Sequence, residues 1–147
     1  MHNQITDALQ RGDHEEALRL ARQFVADAPH DGKAHVLLAR VERAAGEYED
    51  ALASINRAAL LIPEDPRVHF ERAWHLLRKR SFTAAEAALK RSTDLDPNSF
   101  EAYVLRAQLA LDHDDFDEAE RLCRLASRVS PDHPWVSVLE GMIALHR

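Results

Sequence analysis

Histidine is the residue type that most suggests chemistry in this 147-residue chain, which contains nine of them. Imidazole is a common zinc ligand, but a zinc site takes three or four ligands that the fold must bring together. The nine histidines are dispersed, and only His35 and His69 occupy equivalent places in successive units of the sequence. Because two ligands are too few, we interpret both as packing residues and predict that no metal is bound.

A run of acidic residues over 112–118 is the second candidate, since carboxylates could hold a cation there. The run lacks the central glycine and the glutamate spacing of an EF-hand loop. It also falls at a predicted turn between two helical segments. We therefore interpret it as a solvated acidic turn.

Nucleophilic catalysis has one cysteine as a candidate, Cys123. It lies in mid-helix in an apolar column with Ala21, Ile55 and Leu89, a pattern that predicts a buried and unreactive thiol. The sequence contains no GxSxG, no glycine-rich phosphate loop and no HExxH. We predict no catalytic residue and no cofactor, so the chain is expected not to be an enzyme.

Composition excludes several classes of partner. The 25 acidic residues exceed the 19 basic ones, giving a net charge of −6, which is opposite to the usual charge of a nucleic-acid binder. The longest apolar run, residues 58–62, is far shorter than the roughly 20 residues of a membrane span. A lone cysteine gives no disulfide framework. We therefore expect a cytoplasmic protein that contacts neither nucleic acid nor membrane.

A repeat organises the whole sequence, and three columns of residues follow its period. The columns are prolines at Pro29, Pro63, Pro97 and Pro131; alanines at Ala17, Ala51, Ala85 and Ala119; and a histidine-or-aromatic column at His14, Tyr48, Phe82 and Phe116. Every step within a column is 34, as in 63 − 29. Between prolines, each unit divides into two segments whose apolar residues have helical spacing. Each unit is thus predicted to be a helical hairpin.

Residues that begin helices recur at the start of each unit. Proline suits the first helical turn because its missing amide hydrogen is not needed there. Aspartate, asparagine and serine just before this turn can cap its free backbone amides. The predicted starts are Asp31, the dipeptides Asp65-Pro66 and His133-Pro134, and either Asn98 or Ser99.

The turns inside the hairpins are predicted to need a left-handed residue. Gly12 and Gly46 can adopt this conformation and close the first helix of their hairpins. Arg80 and Asp114 occupy the same column in the later units. We expect those two turns to be strained or differently closed.

A 34-residue helix-turn-helix unit with small residues inside and a proline at its end resembles the tetratricopeptide repeat (TPR). The segments that carry the resemblance are 46–63, 115–131, 81–98 and 12–29. It implies an all-α fold, a right-handed α-solenoid of hairpins with about nine helices. The predicted organisation is a single domain, 1–147, with an incomplete first repeat 1–31, repeats 32–65, 66–99 and 100–133, and a C-terminal capping helix 134–147.

The resemblance also implies a binding surface, because the first helices of TPR hairpins line a concave groove that holds a peptide or a partner's helix. The alternative for any of these residues is a place in the core. The groove residues implied are Val36, Arg40, Arg43, Phe70, Trp74, Leu77, Arg78, Val104, Gln108, Leu111, Val138 and Met142.

The predicted partner is a protein or peptide, apolar with some acidic groups. Phe70 and Trp74 are expected to anchor it, and Arg40, Arg43 and Arg78 to contact its acidic groups. Members of the family that hold chaperone tails use a clamp of Lys, Asn and Arg side chains. The corresponding places here do not rebuild that clamp in either of two registers, so no chaperone tail is expected. They hold His2, Thr6, Leu37, Arg67 and Glu71, or one repeat later Val36, Arg40, Glu71, Glu101 and Leu105. Two alternatives stay open: an N-terminal docking or oligomerisation module of a longer, enzymatic polypeptide, and self-association.

Overall fold

The computed structural model describes residues 2–146, which form helices and no strands. The nine helices of this range are α1 (His2–Gln10), α2 (His14–Asp27), α3 (Gly32–Ala44), α4 (Tyr48–Leu61), α5 (Pro66–Arg78), α6 (Phe82–Leu95), α7 (Phe100–Asp112), α8 (Phe116–Val129) and α9 (Pro134–His146). The predicted all-α fold is confirmed. Two compact units divide the chain, one ending at His75 and the other beginning at Leu76, so that α5 contributes to both.

The helix starts follow the period of the sequence, with α3, α5, α7 and α9 beginning at residues 32, 66, 100 and 134. Asp31 caps α3 by accepting a hydrogen bond from the Lys33 amide at 3.0 Å, and Asp65 accepts one from the Arg67 amide at 2.9 Å. These are the predicted caps. The single domain 1–147 stays a prediction, and its two end residues lie outside the described range.

Each hairpin turn closes in the same way, with one left-handed residue after the first helix. Gly46 has φ +82°; its amide bonds to the Arg43 carbonyl at 3.0 Å, and the next amide, of Glu47, bonds to the Glu42 carbonyl at 2.8 Å. This pair of bonds is the Schellman pattern. The other three turns repeat it, with φ +75° at Gly12 and +59° at both Arg80 and Asp114. These two turns are therefore not differently closed, and Arg80 and Asp114 adopt the conformation in which a side chain crowds the backbone.

The first unit has two buried clusters that share α3. One joins α1, α2 and α3, and the other joins α3, α4 and α5 through Val36, Ile55 and Val68. Their interiors are rich in fully buried alanines, among them Ala17 and Ala58, which allow the helices to approach closely. Helix α3 is therefore packed on both sides.

The second unit has a buried cluster in which α7, α8 and α9 meet, with Leu122, Leu139 and Tyr103 among its members. The outer side of α9 carries the exposed residues Ser137, Glu140, Gly141 and Ala144. The capping role of this helix stays a prediction. Within residues 2–146, none of the helices has both the length and the apolar character needed to cross a membrane.

Candidate functional site

The first unit contains a cleft of about 200 Å³ that brings positive charge together with apolar side chains. We call it the basic cleft. Three of its lining residues are cations and one is an anion, so the lining has a net charge of +2 when its histidine is neutral. The lining consists of His2, Phe24, Asp31, Lys33, Val36, Leu37, Arg40 and Arg67.

Helix geometry brings the cations together. Lys33 and Arg40 are separated by two helical turns on α3, so they share a face, and both are exposed. Arg67 is the second residue of α5 and is held by Asp65, with Nε to Oδ1 at 3.0 Å and Nη2 to Oδ2 at 2.6 Å. The hydrogen bonds from Arg67 hold the pKa of Asp65 below its usual value, so this carboxylate stays ionised. Arg67 is thus pre-positioned, and Lys33 and Arg40 are open to solvent.

Trp74 lies in a cluster of rings and charge on α5. Its ring centroid is 5.6 Å from that of Tyr48 and 5.1 Å from that of His75. The guanidinium carbon of Arg43 lies 4.8 Å from the Trp74 centroid, within cation–π range. The indole is half-buried. Trp74 therefore has a packing role in the first unit, alongside any contact with a partner.

Arg43 also forms an ion pair with Glu71, which sequence reasoning missed. Its Nη2 lies 3.1 Å from Oε1 of Glu71, and its Nε lies 3.1 Å from Oε2. Glu71 is buried, and burial raises its pKa, while the charges of Arg43 and Arg40 oppose that rise. The pair joins α3 to α5, and it occupies the guanidinium that the prediction assigned to an acidic partner.

The twelve predicted groove residues differ in exposure. Val36, Val104 and Leu111 are buried, although Val36 still lines the basic cleft. Their predicted role in the groove stays a prediction. Arg43, Phe70, Trp74, Leu77 and Gln108 are half-buried, whereas Arg40, Arg78, Val138 and Met142 are exposed.

The two equivalent histidines, buried His35 and half-buried His69, each bond to the loop that precedes their helix. Nε2 of His35 donates to the Pro29 carbonyl at 2.8 Å, and Nε2 of His69 donates to the Pro63 carbonyl at 2.7 Å. A carbonyl only accepts, which places the hydrogen on Nε2 in both rings. Each histidine therefore ties the start of its helix to the preceding loop.

Three carboxylates of the first unit, on Glu42, Glu47 and Asp50, have oxygens within 4.8 Å of one another. Sequence reasoning missed this group, although all three flank one turn. Ser54 donates to Glu42 at 2.6 Å, and Arg22 pairs with Glu47 at 3.1 Å. Because two of the three carboxylates already have protein partners, we assign no metal site here.

Neither remaining chemical candidate shows an activated group. Cys123 is buried, and burial raises the pKa of its thiol, which disfavours the reactive thiolate. In the acidic turn, Asp115 caps α8 by accepting from the Glu118 amide at 3.2 Å, and Glu118 pairs with Arg121 at 2.6 Å. Both observations agree with the structural interpretations made from the sequence.

The second unit exposes an apolar row along α9, which we call the α9 stripe. Its members and their exposed fractions are Trp135 44%, Val138 45%, Met142 36% and Leu145 84%. Val138 and Met142 were predicted to be open, whereas Trp135 was missed. The signal for Trp135 was its place in the repeat, one repeat length after Glu101 and two after Arg67, a lining residue of the basic cleft.

Solved structures share this fold over most of the chain. A thermophilic TPR protein of Thermus thermophilus matches with a TM-score of 0.79 and 23% identity, covering 96% of this chain and 78% of that one. The Pseudomonas aeruginosa pilF structure matches with a TM-score of 0.88 and 19% identity. The match covers 98% of this chain and 66% of that one. The first TPR of Spaghetti, bound to an HSP90 peptide, matches with a TM-score of 0.72 and 17% identity. The match covers 78% of this chain and 90% of that one.

The sequence comparisons agree with the structural ones. A search among curated proteins finds no significant match. Two family models, each described as tetratricopeptide repeat, match residues 8–70 and 70–134, which together span most of the sequence. Proteins of this family and fold are typically non-catalytic interaction scaffolds. With nine helices in repeat register over the described residues, the chain belongs to the tetratricopeptide repeat family and has its α-solenoid class of fold.

Proposed function

We propose that this chain is a non-catalytic interaction scaffold that holds an acidic, partly apolar segment of a partner protein in the basic cleft. One observation carries the proposal: Lys33, Arg40 and Arg67 surround a cleft whose lining also includes Phe24 and Leu37. A net positive charge in a concave site attracts and orients a segment of opposite charge. The apolar lining then buries side chains of the same segment.

The arrangement favours a mixed ligand over a bare carboxylate tail. Leu37 occupies a position that the family's chaperone clamp fills with a polar side chain, and it lines the cleft here. In the Spaghetti structure, the bound peptide SRMEEVD carries two glutamates and an aspartate, which illustrates an acidic ligand on this fold. For this chain we propose the acidic chemistry without the chaperone clamp.

The proposal keeps two aromatic anchors, one alternative and a cellular location from the sequence analysis. Phe70 and Trp74 stay predicted anchors, with Trp74 held by Tyr48 and Arg43. The alternative of a docking module within a longer polypeptide stays a prediction. We also propose a cytoplasmic location, which cell fractionation would check.

The test measures binding of two labelled probe peptides of equal length by fluorescence anisotropy. One contains leucine and glutamate, and the other carries lysine in place of every glutamate. We expect the glutamate peptide to bind and Arg40→Glu to weaken that binding at least tenfold. The matched control is Arg57→Glu, which reverses an exposed charge on α4 outside the cleft. Equal loss in both variants, or equal binding of the two peptides, would contradict the proposal.

A further inference from the structure

We infer that the outer side of α9 is a docking site for one amphipathic helix of a partner protein, separate from the basic cleft and from the predicted groove. On this side, α8 and α9 enclose an open groove of about 520 Å³, which we call the end groove. Neither Val138 nor Met142, two residues of the predicted groove, lines it. The lining consists of Glu120, Cys123, Arg124, Ser127, Arg128, Glu140, Ile143 and Ala144.

The repeat shows what packs against this side of a first helix elsewhere in the chain. On α9 the side consists of Ser137, Glu140, Gly141 and Ala144, all exposed. The equivalent residues 34 positions earlier, on α7, are Tyr103, Arg106, Ala107 and Ala110. Those 102 positions earlier, on α3, are His35, Leu38, Ala39 and Glu42. All eight are buried except Arg106, whose side chain is 13% exposed. The side that is covered on α3 and α7 is therefore open on α9.

The element that covers this side is the second helix of the same hairpin. Ser54 of α4 donates to Glu42 of α3 at 2.6 Å. Oε1 of Glu118 on α8 lies 3.7 Å from Nη2 of Arg106 on α7, and these two helices share one buried cluster. No helix follows α9 within residues 2–146, and the end groove lies where a second helix would pack. The packing of the chain itself therefore indicates that this side fits a helix.

The end groove has room for a close contact between helices. A Cβ placed on Gly141 would meet no atom within 4 Å. Ala39 and Ala107, at the same place in earlier repeats, are fully buried, so this position holds a small residue where a helix packs. Cys123 and Ile143 are nearly covered yet line the groove, which gives it an apolar floor. An incoming helix therefore needs alanine and leucine on its inner face.

One charge of the end groove selects an acidic residue at the beginning of the partner helix. In the first unit, Arg22 pairs at 3.1 Å with Glu47, the residue just before α4. Arg124 stands at the place of Arg22, 102 positions later. Its side chain is 65% exposed, and its ion pair with Glu120 is loose, at 3.6 Å. An acidic residue just before the partner helix would therefore reach Arg124.

A second charge is reversed relative to the earlier repeat. Arg106 of α7 pairs with Glu118, the third residue of α8. Exposed Glu140 stands at the place of Arg106, 34 positions later, so the third residue of the partner helix should be lysine or arginine. Opposite charges placed across an interface fix its register. The partner is thus a helix with an acid just before it, a base at its third position and a small apolar inner face.

The end helices of a second copy do not offer this pattern. Helix α1 follows Met1 and has Gln4 as its third residue. Helix α9 follows His133 and has Val136 as its third residue. Neither helix has an acidic residue in its first turn. A different protein is therefore the occupant that the charges favour.

The test measures by fluorescence anisotropy the binding of two labelled peptides to the full chain. Both copy residues 114–130, which contain α8, with Cys123→Ala; one keeps Glu118 and the other carries Glu118→Lys. Asp115 supplies the acid before the helix in both. We expect the lysine peptide to bind at least about threefold more tightly, the effect of one ion pair. In the full chain, Glu140→Lys should reverse this preference, which excludes a difference in peptide helicity as its cause.

Two matched variants of the full chain test the place of binding. Gly141→Gln should weaken binding of the lysine peptide at least about tenfold, because the longer side chain fills the space that the helix needs. Ala87→Gln puts the same side chain on an exposed place of α6 outside the end groove and should leave binding unchanged. Arg124→Glu should weaken both peptides. Arg40→Glu should weaken neither, which keeps this test separate from that of the basic cleft.

Several results would overturn the inference. One is that neither peptide binds, so that the outer side of α9 simply faces water, or that both bind equally. Others are that Gly141→Gln binds as the parent does, or that Glu140→Lys keeps the original preference. Sedimentation that shows a dimer dissociated by Gly141→Gln would also overturn it, because a second copy would then cover the end groove. Circular dichroism checks that each variant is folded.

Discussion

The basic cleft and the α9 stripe occupy corresponding places in the repeat but have opposite chemistry. Arg67 of the cleft and Trp135 of the stripe lie two repeat lengths apart. In the first unit, cations converge over a few apolar side chains. In the second unit, large apolar side chains of α9 are exposed. The difference shows that the repeat fixes the place of a side chain on the first-helix face, while the residue at each place decides its chemistry.

The two tryptophans show the same contrast in packing. Trp74 is half-buried and contacts Tyr48, His75 and Arg43 within the first unit. Trp135 is 44% exposed, and its backbone amide, not its indole, bonds to Nδ1 of His133. The first ring is held in place before any partner arrives, whereas the second presents its surface to solvent.

The largest expected effect separates these two rings. Trp74→Ala should lower the free energy of unfolding by about 2–3 kcal/mol, somewhat less than a fully buried ring would cost, because its packing against Tyr48 and Arg43 is lost. Trp135→Ala should change it by less than about 1 kcal/mol, as is typical of surface positions. Urea denaturation followed by circular dichroism measures both. Equal losses in the two variants would show that the contrast in packing is wrong.

A smaller effect is expected at the hairpin turns, where the two units also differ. The first unit uses Gly46 for the left-handed residue, and the second uses Asp114. Asp114→Gly should raise stability by about 0.5 kcal/mol, since relief of a left-handed strain of roughly 1–2 kcal/mol exceeds the added freedom of the unfolded chain. Gly46→Ala should lower it by about 1 kcal/mol for the converse reason.

Arg80→Gly serves as the internal comparison for the turns. The guanidinium of Arg80 lies 5.3 Å from the Phe82 ring centroid, so its removal also loses a cation–π contact. The gain should therefore be smaller than at Asp114. Thermal melts would measure the two gains in stability and show which is larger. A loss of stability in Asp114→Gly would refute the strain argument.

The smallest effect is expected from the pH dependence of Glu42, a buried carboxyl of the first unit. Burial raises its pKa, Ser54 and Arg22 oppose that rise, and Asp50 and Glu47 add to it. A folded-state pKa above the ordinary 4.5 means that the folded chain binds more protons in this range. The free energy of unfolding of the parent, minus that of the Glu42→Gln variant, should therefore fall as the pH rises from below 4.5 through the raised pKa. Denaturant titrations of both proteins at several pH values measure this, and a difference that rises with pH would contradict it.

Sequence periodicity was sufficient for the helices, the hairpin turns and the caps at Asp31 and Asp65, whereas Ser99 lies at the N-cap of α7 without a side-chain capping hydrogen bond. These features depend on neighbours a few residues apart: Asp31 caps an amide two residues on, and Gly46 closes a turn with carbonyls three to five residues back. The family followed from the same pattern, because a hairpin repeat with small residues in fixed columns must stack to bury its apolar faces.

What the sequence determined by itself was therefore the position of each side chain within its repeat, including Arg40, Val138 and Met142 on the first-helix faces. Only the tertiary structure decided which of these positions are open. Val104 and Leu111 share the predicted face and are buried, while Val36, also buried, still lines the basic cleft. Arg43 on α3 meets Glu71 on α5, and Lys33, Arg40 and Arg67 converge on one cleft. Exposure and charge pairing depend on the packing of helices distant in sequence, which a local period does not specify.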